Sequence, residues 1–345
     1  MRSEDPLAFL DEIQIREPNQ AFFDALRGYP ALYTMAKKTD YYLAQYDRPV
    51  CSISGGSDSD VLMDLVWRLD VEHKARYAFF DTGIEMQATK DHISFLEKKY
   101  GVTIYRIKPK TPVGAAVRKY GYPFWTKQVS EYMKRLQQHG FKWEDEPFEI
   151  LLQRYPNCKA ALRWWCNEWG ESSRLNISKS AGLKEYIMAN PPKVLFSPVC
   201  CDKSKKEPAA QVVKLFNADI SLIGVRKFEG GARSTVYSSC FIDNKHKGVQ
   251  HFPLFWLTDE DKRTYEQLFG VTHSDAYTKY ECSRTGCAGC PFGSRFQSEI
   301  DMLRKHEPKL AKAVETIFAP AYEYTLGYRE FREQYKKTKR TNTGG

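Results

Sequence analysis

Ser54-Gly55-Gly56-Ser57-Asp58-Ser59 is the part of this 345-residue chain whose residue types and spacing are best suited to chemistry. Two adjacent glycines let the backbone approach an anion closely, and a helix starting just after them aims its unpaired N–H groups and positive dipole end at that anion. The flanks supply this setting. Pro49-Val50-Cys51-Ser52-Ile53 reads as a strand, and Val61-Leu62-x-x-Leu65-Val66 has helical spacing. Ser54, Gly55, Gly56, Ser57, Asp58 and Ser59 are therefore read as a phosphate cradle. The stretch has neither the lysine of a Walker loop nor the GxGxxG spacing of a dinucleotide fold, so neither of those mechanisms transfers directly.

Three further groups carry chemistry. Asp81-Thr82-Gly83-x-Glu85-x-x-x-Thr89 follows the apolar run Tyr77-Ala78-Phe79-Phe80, and a carboxylate and hydroxyl at a strand end can hold a nucleotide sugar or a magnesium ion. Gly224-Val225-Arg226-x-x-Glu229-Gly230-Gly231-x-Arg233 also leaves a strand, and its two arginines make a fork suited to phosphate or sulfate oxygens. Cys282, Cys287 and Cys290 have the C-x4-C-x2-C spacing of the first three ligands of a plant-type iron–sulfur site, with Gly286 and Gly289 freeing the backbone to wrap a cluster. A fourth thiolate must come from elsewhere: Cys200, Cys201, Cys240, Cys166 and Cys158 are the candidates. Four thiolates also suit structural zinc, the main rival.

The elements that must position these groups alternate. Strand-like runs at 49–53, 75–80 and 102–107 are separated by helical stretches at 59–70 and 87–100, and a strand at 220–224 follows a helical pattern at 207–216. The expected fold is α/β, a doubly wound, mostly parallel sheet that binds ligands at the carboxyl ends of its strands, where Ser54 and Asp81 fall. Residues 1–46 read as an N-terminal helical segment and 47–245 as the nucleotide-binding domain, with an aromatic-rich helical insertion at about 121–195. Residues 246–345 read as a helical C-terminal region with a cysteine-rich loop. Thr258-x-x-Asp261 is a helix-cap signal. The insertion's aromatics, among them Trp125, Trp143, Trp164, Trp165 and Trp169, are expected to pack a subdomain core rather than to stack bases. The basic stretch from Tyr328 to Arg340 is expected to be a solvated, frayed terminus.

Composition bounds the partners. A net charge of +9 favours polyanions, nucleic acid and nucleotides alike. No apolar run reaches membrane-spanning length, and Met1-Arg2-Ser3-Glu4-Asp5-Pro6 has no apolar signal core, so a cytoplasmic protein with no membrane partner is expected. Nine cysteines, an odd number, suit metal binding in a reducing compartment better than a disulfide framework.

The glycine turn is complete at all five fixed positions of SGGxDS, the PP-loop of the ATP pyrophosphatases. The four groups in this order resemble the phosphoadenosine phosphosulfate (PAPS) reductase family, including the ATP-dependent iron–sulfur sulfurtransferases of DNA phosphorothioation, over about residues 48–295. The resemblance implies an adenine nucleotide alpha-hydrolase-like fold. Within it, Cys200-Cys201-Asp202-x-x-Lys205-x-x-Pro208 looks like the family's Cys-Cys-x-x-x-Lys-x-x-Pro segment, which supplies cluster ligands. The implied 4Fe-4S ligands are Cys201, Cys282, Cys287 and Cys290, with Cys200 in place of Cys282 as the alternative. Two departures bear on the reaction: no cysteine follows Cys290 to act as the reductases' Glu-Cys-Gly-like nucleophile, and the loop that reductases tend to have lost is retained here.

The implied function is an ATP-dependent sulfurtransferase or adenylyltransferase that splits ATP into AMP and pyrophosphate. Ser57, Asp58, Arg226 and Arg233 carry catalysis in this reading, Mg²⁺ comes with ATP near Asp58, and Asp81, Thr82 and Gly83 bind near the nucleoside. The expected partners are an adenine nucleotide and a nucleic-acid acceptor, with a sulfur- or electron-donor protein and homo-oligomerisation left open. The alternatives are an adenylylsulfate or phosphoadenylylsulfate reductase using a thiol such as Cys240, and a non-catalytic nucleotide-sensing or nucleic-acid-binding accessory module.

Overall fold

The computed structural model describes residues 14–229, 238–244 and 248–342, and side chains as far as Lys339. The chain divides into two compact units, residues 1–109 with 205–287, and residues 110–204 with 288–345. Residues 246–287, expected with the C-terminal region, fall in the first of these.

The first unit is a six-stranded sheet in the order β3-β2-β1-β4-β6-β5, built from β1 (Pro49–Ile53), β2 (Arg76–Phe80), β3 (Ile104–Ile107), β4 (Ile220–Ile223), β5 (Phe241–Asn244) and β6 (Gly248–His251). Every pairing is parallel except β5 with β6. The fold is thus the mostly parallel α/β sheet that the alternating pattern predicts. The β5–β6 hairpin is an addition to the strands read from sequence. Its four-residue strands carry Asp243, Asn244 and Gln250, which mask any apolar alternation.

Strand order reverses between β1 and β4, where Ser52 pairs with Ile223, so the turns after these two strands open at the same end of the sheet. This is the switch point at which such sheets bind ligands. Helices Ser57–Leu69 and Gln87–Tyr100 connect the first three strands, and Val61, Leu62, Leu65, Val66, Ile93 and Leu96 bury their apolar stripes against Cys51, Ile53, Tyr77 and Phe79. Helices Gln20–Leu26 and Pro30–Gln45 deliver Phe23, Leu26 and Met35 to the same core.

The second unit packs short helices around Phe124, Trp143, Trp164, Trp165, Phe196 and Tyr328, all buried, so the insertion's aromatics form a core as expected. The basic C-terminal stretch is not frayed. It continues one helix, Pro308–Asn342, in which Tyr324, Tyr328 and Phe331 recur at helical spacing and join this core. Counting charges alone overlooked that aromatic stripe.

Candidate functional site

The turn after β1 is folded by its own small residues. Gly55 has φ +67°, and a Cβ there would stand 2.7 Å from Thr89 Cγ2, so conformation and packing both demand glycine. Ser59 lies inside the turn: its Oγ accepts from the N–H groups of Ser54 (3.2 Å) and Gly56 (3.1 Å) and donates to the Gly56 carbonyl at 2.8 Å. Ser54 Oγ also accepts from Gly56 N–H at 3.3 Å. Ser59 therefore braces the loop, leaving Ser57 and Asp58 to head the 13-residue helix Ser57–Leu69.

A lysine that no motif announced meets those two residues. Thr258 and Asp261 form the predicted cap: Asp261 N–H donates to Thr258 Oγ1 at 3.1 Å, and Thr258 N–H to Asp261 Oδ2 at 2.9 Å. The cap starts helix Asp259–Phe269 and fixes Lys262 in its first turn. Lys262 Nζ donates to Ser57 Oγ at 2.6 Å and lies 3.1 Å from Asp58 Oδ1 and 3.4 Å from Glu266 Oε1. Arg226, on the turn after β4, donates from Nε to Asp58 Oδ1 at 2.9 Å and from Nη1 to Asp259 Oδ1 at 2.7 Å. Its expected companion in the anion fork, Arg233, lies outside the described residues. Asp58 thus gathers two cations at the mouth of the turn.

The charges continue behind the turn. Asp60, fully buried one residue beyond Ser59, accepts from His92 Nε2 at 2.9 Å and His273 Nδ1 at 2.8 Å. The other nitrogen of His273 is 3.0 Å from Glu266 Oε1. Burial works against the charged ring, but Asp60 and Glu266 prevail and raise His273 to about 9. Burial would likewise raise Glu266, yet His273 and Lys262 hold it below the usual carboxylate range. A continuous path of alternating charge runs Asp58, Lys262, Glu266, His273, Asp60, and His92 hydrogen-bonds to Asp60 at its end. Tyr277, also missed, closes the turn: its hydroxyl accepts from Ser57 N–H (3.3 Å) and Thr285 N–H (3.2 Å).

The second motif is placed less openly than expected. Asp81 Oδ1 accepts from Gly83 N–H at 3.0 Å and is 3.7 Å from Lys90 Nζ. Thr82 is fully buried, donates to Glu85 Oε1 at 2.8 Å and accepts from the Cys287 thiol at 3.6 Å. Burial pushes the Glu85 carboxyl up, with Lys205 opposing.

The sequence matches the phosphoadenosine phosphosulfate reductase domain over residues 48–146 and 174–292, more than half of the chain. The chain belongs to the PAPS reductase family. A comparison with curated protein sequences finds no match. Among solved structures, the chain is similar to phosphoadenylyl-sulfate reductase from Candida auris in a phosphate complex, with 13% identity and a TM-score of 0.40 over 77% of this chain and 93% of that one. It is also similar to the U34-tRNA thiolase NcsA from Methanococcus maripaludis with its [4Fe-4S] cluster, with 13% identity and a TM-score of 0.33 over 87% of this chain and 80% of that one.

The cysteines of this family member are divided between the units. Cys282 and Cys287 belong to the first, Cys200, Cys201 and Cys290 to the second. All but Cys200 are half-buried, and Cys200 is buried. Gly289, beside Cys290, has φ +60° and a Cβ there would stand 2.6 Å from Tyr322 Oη, so the loop accepts nothing larger. Thiolate donors and a tight, glycine-dependent loop fit an iron–sulfur cluster in chemistry. Among the described residues no three or more His, Cys, Asp or Glu side chains form a ready group for a single metal ion. That holds for magnesium too, since Asp58 and Asp81 each face cationic side chains.

Proposed function

We propose that this PAPS reductase family protein is an ATP-dependent sulfurtransferase or adenylyltransferase of the ATP pyrophosphatase type, acting on a nucleic-acid acceptor. The observation that carries the reading is the turn at Gly55 and Gly56, held at the sheet's switch point with Lys262 and Arg226 beside the start of its helix. An acceptor oxygen forms a bond to the α-phosphorus of ATP while the bond to the bridging oxygen breaks, and pyrophosphate leaves with that electron pair. A sulfide-level nucleophile delivered by a separate sulfur donor then bonds to the acceptor atom that carried this oxygen, and the bond from that atom to the oxygen breaks with its electron pair leaving on AMP.

In this scheme the N–H groups of Ser57 and Asp58 take the departing phosphates, Ser57 N–H exchanging Tyr277 for a phosphate oxygen, while Gly56 N–H stays on the bracing serine oxygens. Lys262 neutralises charge growing on the leaving group, while Asp58 holds Lys262 and Arg226 in position. Asp81 and Gly83 flank the nucleoside, Thr82 supports them from within, and magnesium arrives on the nucleotide. Cys201, Cys282, Cys287 and Cys290, with Cys200 as the alternative ligand, would hold a 4Fe-4S cluster in a reducing, cytoplasmic setting. A bound cluster supplies an iron site for sulfur or a brace for the chain.

Anaerobic incubation with labelled ATP and candidate acceptors, following AMP, pyrophosphate and thiolated product, tests the reading; absence of AMP formation with every acceptor rejects it. The family match also favours a sulfonucleotide reductase, which is recognised by sulfite release from adenylylsulfate or its 3′-phosphate with thioredoxin. The cluster predicts a brown anaerobic preparation with broad visible absorption, and a colourless one containing zinc contradicts it.

A further inference from the structure

The second unit contains a cavity of about 530 Å³ lined by Trp125, Phe292, Arg329, Arg332 and Glu333, among others. Arg329 and Arg332 lie one turn apart on helix Pro308–Asn342, so two like charges share a face. Arg329 gives its donors to neutral acceptors, Nη1 to Gln297 Oε1 at 2.6 Å and Nη2 to the Ser294 carbonyl at 2.7 Å. The Arg332 guanidinium sits 5.3 Å from the centre of the Trp125 ring, and its Nε is buried with no acceptor. Neither guanidinium has an ion-pair partner among the described residues; the nearby carboxylate of Glu333 lies 3.5 Å from Lys336 Nζ instead. Burial, and then Arg332, lower Arg329 from its usual value.

The wall is strained as well as charged. Trp125 has φ 57°, a backbone region costly for a bulky residue, and is held there by an indole hydrogen bond to Ser180 Oγ at 3.1 Å and edge contact with Tyr328. With Nε buried and unanswered, the charge of the Arg332 guanidinium is poorly satisfied in the free protein, and an oxyanion in the cavity that Arg332 lines would answer that charge. We propose that this cavity is a phosphate subsite in which Arg332 is the principal donor and Arg329 adds charge, with Trp125 and Phe292 packing against the group that bears the phosphate. The site does not rest on the ATP reading.

The test titrates inorganic phosphate into the full-length protein with a non-hydrolysable ATP analogue saturating the glycine turn, read by phosphorus NMR. Wild type binds phosphate at millimolar concentration, and Arg332→Gln weakens that binding about tenfold, with Arg332→Lys between them. Affinity for the ATP analogue is unchanged in each variant, and Arg329→Gln carries the comparison if Arg332→Gln does not fold. A single-stranded oligonucleotide that displaces phosphate assigns the group to a nucleic-acid backbone; displacement only by small phosphate esters assigns it to a free metabolite. If the analogue itself does not bind, the ATP reading fails alone and the arginine comparison is made with phosphate by itself. Equal phosphate binding in wild type and both arginine variants, or none in wild type, overturns the proposal.

Discussion

Lys262 holds its ammonium among three oxygens, those of Ser57, Asp58 and Glu266, with 13% of its side chain exposed. In the proposed reaction, a cation so placed at the start of the helix would follow charge as it moves from the α-phosphorus to pyrophosphate. Lys262→Ala is predicted to slow AMP formation about a hundredfold. Binding of a non-hydrolysable analogue should weaken far less, because Arg226 still balances Asp58. Equal losses in binding and turnover would make Lys262 a ground-state contact only. Sequence reading found Ser57 and Asp58 from their local spacing, but Lys262 and Tyr277 have no local signature. They reach the turn through a sheet crossover and a helix cap, contacts more than two hundred residues distant along the chain.

His273 makes the same neighbourhood sensitive to pH. Its folded value of about 9 stands above the ordinary 6.5, so the folded state holds the proton more tightly than the unfolded one. The stabilisation is complete below about pH 6.5 and is lost as pH rises through 9; the shift converts to about 3 kcal/mol, which solvent screening of the partly exposed ring reduces to the order of 2 kcal/mol. Urea denaturation between these limits should show it for wild type and show a flatter profile for His273→Gln. Identical profiles would mean that Asp60 and Glu266 do not hold the ring charged.

At the scale of elements, the turn between β1 and its helix depends on one backbone conformation. Gly55→Ala must hold a side chain at φ +67° and press it on Thr89 Cγ2, and is predicted to cost about 1–3 kcal/mol and to lose nucleotide binding. Adding Thr89→Ser removes the methyl group and should recover the packing share but not the conformational share, as thermal denaturation of the double variant would reveal. No recovery would place the whole cost in the backbone. The central strands were legible because buried parallel strands are written as near-continuous apolar runs, as in Pro49–Ile53 and Ile220–Ile223, each broken by a single serine. The β5–β6 hairpin was not, since its polar edge needs no such run. The long C-terminal helix was misread because its lysines and arginines fill one face while Tyr324, Tyr328 and Phe331 occupy the other.

For the molecule as a whole, each unit closes a hydrophobic core from its own residues: Phe23, Leu62, Phe79 and Tyr265 in the first, Phe124, Trp164, Trp165 and Tyr328 in the second. Cores without shared side chains need not melt together, which is the condition under which two-state behaviour fails. The tryptophans offer a way to see this, because all except Trp67 and Trp256 belong to the second unit. Intrinsic fluorescence therefore follows the second core, whereas nucleotide-analogue binding follows the turn of the first. Trp165→Ala, which empties a fully buried site, is predicted to destabilise by about 3–5 kcal/mol in the fluorescence transition. The urea midpoint for loss of analogue binding should move far less. Coincident shifts of both midpoints would show that the two cores unfold as one cooperative body, and the boundaries at 109, 204 and 287 would then have no thermodynamic meaning.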